Sequence, residues 1–307
     1  MKPYAQYKRF PRSRAGNVVY FSFLFLMGLF SMLPLVYCIC TAFKPLDELL
    51  IFPPRFFVSR PTLANFTVLP TLLEKMRIPF SRYMFNSIFI SIVSTFLNIF
   101  VSSMAAFTLS KSKLKFRNAF FWIVQFSLLY NATTLGVPQY LIFSKLGIID
   151  TYWVYILPAI PSSMGAFLIK QYVDSGVPDT IMEAARIDGC SEFGIFFRIV
   201  VPLSKAGVAT IGLFTALGIW NDFYLPMMLI TKPNLYNLQY YLQIIFLNIE
   251  ALSKNNILSA SQADALKIPS ETTRFAMCVL TMGPILFVYP FFQKYFVKGM
   301  VVGSVKG

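Results

Sequence analysis

The sequence predicts an all-α polytopic membrane protein with six transmembrane helices, both termini cytoplasmic, and a short helical loop lying under the bilayer. Three observations carry this prediction. Of 307 residues, 56% are hydrophobic and 13% charged, against about 25% charged in a soluble domain. The apolar residues gather into runs of the roughly 20 residues that a hydrocarbon core requires. Lys and Arg cluster in short segments beside those runs, which sets orientation.

The chain opens with a tail, residues 1–17, reading MKPYAQYKRFPRSRAGN. The run after it is far longer than the apolar core of a secretory signal, and no small-residue cleavage site follows. It is therefore predicted to be a retained first span, Val18–Ala42. The further spans are Tyr83–Leu109, Ala119–Phe143, Tyr152–Ile169, Gly207–Ile230 and Phe275–Phe296. The transmembrane domain takes in residues 18–297, and residues 298–307 form a C-terminal tail. Prolines inside these runs (Pro34, Pro138, Pro158, Pro161, Pro226 and Pro284) point to kinked helices, more usual in a transporter than in a simple anchor.

Orientation rests on the clusters nearest the first spans: Lys2, Lys8, Arg9, Arg12 and Arg14 before span one, and Lys111, Lys113, Lys115 and Arg117 after span two. Both are placed inside. The first outside loop carries Arg55, Arg60, Lys75, Arg77 and Arg82, so the bias is modest and the compact clusters decide it. Residues 44–82, rich in proline, and residues 231–274 are the long outside loops. Each reads as a surface connection or as a docking surface for an external partner.

Several functions are excluded by what is missing. The net charge of +14 belongs to topology-setting loops and anionic headgroups rather than to a nucleic acid partner, because no soluble domain carries it. There is no His, so the commonest general base and metal ligand is absent. The four cysteines form no CxxC pair. No Gly-rich phosphate loop of the form GxxxxGK[ST] occurs, so ATP is not bound here. No cofactor is expected in this chain.

The most informative stretch is the inside loop Val177–Gly207, VPDTIMEAARIDGCSEFGIFFRIVVPLSKAG. Pro178 and Asp179 suit a helix start, Gly189 suits the left-handed residue that ends it, and Ser191 with Glu192 suits the start of a second short helix that Pro202 closes. Ile181, Ala184, Ala185 and Asp188 share one face, where small side chains would let another protein approach. Glu183 and Arg186, three apart, are placed to pair. A helix resting on lipid headgroups is the alternative for such a pattern on its own.

The pattern Glu183-Ala184-Ala185-Arg186-Ile187-Asp188-Gly189, followed by Ile199-Val200-Val201-Pro202-Leu203, resembles the EAA signature of ABC importer permeases. Phe85-Asn86-Ser87 at the start of span two resembles the opening of the permease core. Trp220-Asn221-Asp222-Phe223 is similar to the sugar-importer branch, and the ending from Gln293 to Gly307 looks like the tail of the second permease of maltose-type importers. The resemblance covers about residue 15 to the end and leans toward the branch for oligosaccharides and modified glycans. It implies that residues 174–204 are a coupling loop, with Glu183, Ala184, Ala185, Arg186, Asp188, Gly189 and Pro202 meeting a cytoplasmic ATPase. It implies as partners a second homologous permease, two ATPase subunits that bind ATP and Mg, and an extracytoplasmic substrate-binding protein.

Within span five, Trp220, Asn221, Asp222 and Tyr224 combine rings with amide and carboxylate groups. That mixture suits a sugar, and it equally suits helix packing. A charge at membrane depth costs about 2.5–3.5 kcal/mol on insertion scales, so Asp222 is expected to face the bundle or a cavity. Asn131 in span three is a further pathway candidate. Import of a non-sugar solute, or secondary transport, remain the alternatives; neither coupling-ion sites nor internal repeats are visible to favour the latter.

Overall fold

The computed structural model describes residues 13–49, 51–67, 78–112, 114–130, 132–254 and 271–303. Among them every regular element is helical. The helices are α1 (Arg14–Ala42), α2 (Leu46–Leu49), α3 (Phe80–Lys111), α4 (Arg117–Ser127), α5 (Gly136–Lys145), α6 (Trp153–Ala159), α7 (Ser163–Gly176), α8 (Asp179–Ile187), α9 (Glu192–Ile195), α10 (Lys205–Trp220), α11 (Tyr224–Leu229), α12 (Leu238–Lys254) and α13 (Glu271–Gly303). Of the predicted tails, residues 1–12 and 304–307 lie outside the described residues.

Among the described residues, four stretches are long and apolar enough to cross a bilayer: Ala15–Ala42, Phe80–Lys111, Trp153–Gly176 and Thr272–Pro290. They match predicted spans one, two, four and six. A fifth arises if Glu192–Leu203 and Lys205–Trp220, bent 81° from each other, are one span. Predicted span four breaks between α6 and α7, and the other two predicted spans are not continuous helices either. Ala119–Phe143 divides into α4, a 3₁₀ turn Ala132–Leu135 and α5; Gly136 and Pro138 sit in the first turn of α5, where proline starts a helix rather than extending one. Gly207–Ile230 divides at Asn221–Phe223, where the Asp222 carboxylate accepts the N–H groups of Tyr224 at 2.9 Å and Leu225 at 3.2 Å. A short acidic side chain that captures the next turn's donors begins a new helix.

The chain forms two compact units. The first takes its described residues from Met1–Leu69 and Pro269–Leu280. It is dominated by α1, apolar on every side and exposed from Val18 to Leu35. The loop after α1 is tied by polar contacts: Asn65 donates to the carbonyls of Ala42 at 2.8 Å and Lys44 at 2.7 Å and accepts from the Thr272 hydroxyl at 2.9 Å.

The second unit, from Pro70–Ile268 and Thr281–Gly307, is built on α3. Helix α7 crosses it closely: a Cβ on Gly165 would lie 2.6 Å from the Ser102 oxygen, so only glycine permits that approach. Asn98, 2% exposed, donates to the Ala159 carbonyl at 2.6 Å and accepts from Thr215 at 3.1 Å. It serves the helix end freed before Pro161 and joins α3, α6 and α10. Toward the start of α3, Ile90, Phe143, Val154, Tyr155, Leu229, Ile230 and Leu235 form one buried cluster. There Asn86 donates to the carbonyls of Asn234 at 3.0 Å and Tyr236 at 2.8 Å. The Asp150 carboxylate holds Thr231 and Lys232 by their N–H groups at 2.5 and 3.1 Å. Toward the end of α3 a second cluster joins Ala106, Ile169 and Val173 to the loop described next.

Candidate functional site

The loop between α7 and α10 begins with Val177, 1% exposed, and Pro178, whose extended backbone caps α8. Helix α8 is strongly two-sided. Met182 (2% exposed) and Ala185 (8%) turn inward with Val177, Ile195, Phe196 and Val200. Ile181, Glu183, Ala184, Ile187 and Asp188 turn outward, and Ile187 is 86% exposed. The expected common face of Ile181, Ala184, Ala185 and Asp188 is therefore split: Ala185 packs beneath the helix, because the neighbouring Met182 needs the same buried side.

Gly189 has φ +80°. Its N–H donates to the Arg186 carbonyl at 3.1 Å, and the Cys190 N–H reaches the Ala185 carbonyl at 2.9 Å. This pair of bonds satisfies the last carbonyls of α8 and needs a left-handed residue between them. Ser191 then accepts the Gly194 N–H at 3.2 Å and caps α9. A π turn, Phe196–Val200, and a final turn, Val201–Leu203, follow. Pro202 has no N–H for the Arg198 carbonyl and its ring crowds it; the widened turn lies directly before it. The Ser204 hydroxyl donates to Val200 at 2.7 Å, and α10 departs at 81°.

Two ion pairs brace the loop. Arg186 does not pair with Glu183. Its Nε meets Glu192 Oε1 at 2.7 Å and its Nη2 meets Oε2 at 3.2 Å, because the glycine turn brings the start of α9 beside the last turn of α8. This bonding raises the Arg186 pKa and lowers that of Glu192. Glu183 stays exposed. The second pair joins Lys111, the last residue of α3, to Asp179 in the first turn of α8 at 2.8 Å. The hydrogen bond from Lys111 holds the Asp179 carboxyl below its usual range. Ser110 donates to Asp174, which also receives Lys170 at 2.6 Å.

Neither brace was visible in the sequence. Lys111 served there only to set topology, and a pairing six residues apart across a glycine turn matches no regular helix spacing. Ile181 (45% exposed), Glu183, Ile187 and Phe193 (63%) are exposed on the loop, while Phe197 stacks on Phe100 of α3 with centroids 6.4 Å apart.

The second group of predicted residues lies between α10 and α11. Trp220 is 7% exposed and its indole N–H donates to the Thr281 carbonyl at 3.2 Å. It also edges an apolar groove of about 420 Å³ with Ile92, Phe96, Leu217 and Val288. Asn221 donates to the Leu217 carbonyl at 2.9 Å and accepts from Gln239 at 3.3 Å. Asp222 caps α11, and its carbonyl receives the Asn237 amide at 2.5 Å. Asn221 and Tyr224 are exposed. Asn131 lies outside the described residues.

Comparison with known proteins matches residues 84–302 to the family described as "Binding-protein-dependent transport system inner membrane component". The chain is 36% identical over 302 residues to Protein LplC of Bacillus subtilis (strain 168), covering 96% of each. It is 30% identical over 307 residues to the polygalacturonan/rhamnogalacturonan transport system permease protein YtcP of the same organism, covering 96% of this chain and 100% of the relative. It is 33% identical over 294 residues to the arabinooligosaccharides transport system permease protein AraQ of Halalkalibacterium halodurans, covering 94% of each. Among solved structures, one of a bacterial ABC transporter involved in the import of the acidic polysaccharide alginate matches with a TM-score of 0.73 at 26% identity, covering 93% of this chain and 99% of that one.

Proposed function

The chain belongs to the family of binding-protein-dependent transport system inner membrane components, and from that premise we propose that it is one permease subunit of an ATP-driven importer for a sugar or oligosaccharide. Its relatives carry names of permeases for pectic and arabinose oligosaccharides. The observation that carries the mechanism is the braced loop, with Ile181, Glu183, Ile187 and Phe193 exposed and its inner side fused to the core at the end of α3.

In this reading residues 174–204 are the coupling loop. Ile181, Ile187 and Phe193 seat in a cleft of the ATPase, and Glu183 meets a basic residue there. ATP and Mg are held by that partner. When two ATPase subunits close, α8 is displaced. The displacement passes through the Lys111–Asp179 pair and the packing of Met182 and Ala185 into α3, α7 and α10, and the bundle alternates between outward and inward openings. The 81° bend at Ser204 turns a push along the membrane surface into a movement of α10.

A second homologous permease completes the pathway, and a soluble binding protein delivers the sugar. The chain crosses the inner membrane six times with both termini cytoplasmic; the broken runs α4–α5 and α10–α11 are crossings interrupted where polar backbone faces the bundle interior. Asn131, Trp220, Asn221, Asp222 and Tyr224 line the pathway. The test is reconstitution of the complex with its ATPase and binding protein in proteoliposomes. Uptake of a pectic or arabinose oligosaccharide that needs both ATP and binding protein is expected; uptake without the ATPase overturns the reading.

A further inference from the structure

Residues 43–67 leave the end of α1 and turn back along it. Helix α1 ends at Ala42; Tyr37 lies five residues earlier, about 7 Å short of that end at 1.5 Å per residue. The Tyr37 ring meets Phe56 with centroids 5.5 Å apart, and Phe56 meets Phe57 at 5.1 Å. Helical side chains lean toward the helix N-terminus, so this contact lies at the level of Tyr37 or deeper. The loop has returned to a depth that α1 itself occupies.

Buried polar contacts fix the return. Lys44, 2% exposed, donates to the Arg55 carbonyl and lies 5.6 Å from the centre of the Tyr37 ring. Glu48, also 2% exposed, accepts the N–H groups of Ser59 at 2.7 Å and Arg60 at 3.2 Å. These two charged side chains are turned inward, while Arg60 and Asp47 pair on the exposed side at 2.5 Å. Between them residues 51–57 present apolar rings outward: Phe52 is 92% exposed and Phe57 67%. Arg55 flanks them, bonded to the Ser59 hydroxyl at 3.1 Å.

We propose that residues 51–57 form a membrane wedge, with Phe52 and Phe57 in the boundary between headgroups and acyl chains and Arg55 at the lipid phosphates. Lipid is the occupant for three reasons. The wedge sits at the depth of Tyr37 beside a helix that is apolar on every side. Aromatic rings with a flanking cation are the composition of the membrane interface, and Tyr37 lies 19 residues, about 28 Å, along α1 from Val18, close to the thickness of a hydrocarbon core. A held loop loses little conformational entropy on insertion, while burying each ring removes apolar surface from water. The inference rests on α1 crossing the membrane and is independent of the substrate.

The test places trifluoromethyl-phenylalanine at position 52, and separately at position 57, in the full transporter complex within nanodiscs of phosphatidylethanolamine and phosphatidylglycerol. Fluorine line broadening is read with a nitroxide on the upper acyl chain and with an aqueous gadolinium chelate. Parent-like binding-protein-stimulated ATP hydrolysis by each labelled complex confirms that it is assembled. An interfacial ring is expected to be broadened at least about twofold more by the lipid nitroxide than by the chelate. Stronger broadening by the chelate, which puts the ring in water, overturns the wedge. So does broadening by neither agent, which puts it under another protein subunit.

Discussion

Arg186 and Glu192 close the glycine turn with a two-point ion pair, Nε to Oε1 at 2.7 Å and Nη2 to Oε2 at 3.2 Å. The pair fixes the angle between α8 and α9, and so the arrangement of the outward patch formed by Ile187 and Phe193. Exposed ion pairs contribute up to about 1 kcal/mol, so its role is geometric. Arg186→Glu is expected to lower binding-protein-stimulated ATP hydrolysis without lowering the amount of permease in the membrane. The double variant Arg186→Glu, Glu192→Arg should recover part of the loss. No recovery in the double variant would mean that the arginine acts on the ATPase directly.

The same pair sets a pH dependence. The pKa of Glu192 is lowered from 4.5 by its bond to Arg186, so the stabilisation it gives is fully present above 4.5 and is lost as pH falls through the lowered value. That of Arg186 is raised by the same bond, so its share is lost only at strongly alkaline pH. Coupling, measured as ATP hydrolysed per sugar imported, is therefore expected to stay flat through neutral pH in the parent. A step in that ratio near neutrality would assign coupling to other groups.

Gly189 holds φ +80°, a region that costs an L-residue about 1–2 kcal/mol. Gly189→Val should misdirect α9 and strongly reduce stimulated ATPase activity and uptake. Gly189→Asn should be milder, because asparagine enters this region more readily. Equal losses in the two variants, measured on reconstituted complexes, would show that backbone conformation is not the cause.

Glu183 is exposed on α8, and in the proposed complex it faces a basic group. Glu183→Lys sets like charges face to face, which costs several kcal/mol at an interface. The expected outcome is loss of the ATPase subunit from the purified complex or loss of stimulated activity. Parent-like stimulation in both Glu183→Lys and Gly189→Val would remove this loop from the coupling path.

Trp220 and Asp222 are separable. Removing a buried Trp costs about 3–5 kcal/mol, so Trp220→Ala should lower the melting temperature of the solubilised complex as well as uptake. Asp222→Asn keeps a capping side chain and should keep the melting temperature while lowering uptake, as a pathway residue would. Unchanged uptake in Asp222→Asn would reduce Asp222 to a helix cap.

What the sequence determined by itself was set by composition and short-range rules. Long apolar runs without charge can only be satisfied as helices in lipid, and α1, α3 and α13 follow from that. The glycine turn was equally legible: Gly189 and Ser191 have local conformational preferences that no distant contact needs to enforce, and the loop adopts them. Tertiary structure decided the rest. The hydropathy of Ala119–Phe143 and Gly207–Ile230 does not register that Asp222 takes the donors of the next turn, or that Gly136 and Pro138 open a new helix. Ala184 and Ala185 are adjacent and chemically identical, yet one is exposed and the other buried, because packing against α3 and α7 selects the face. Arg186 found Glu192 rather than Glu183 because the folded turn brought a residue six positions away closer than the one three away. Lys111 and Asp179 are far apart in the chain, and only the path of α7 beside α3 returns one to the other.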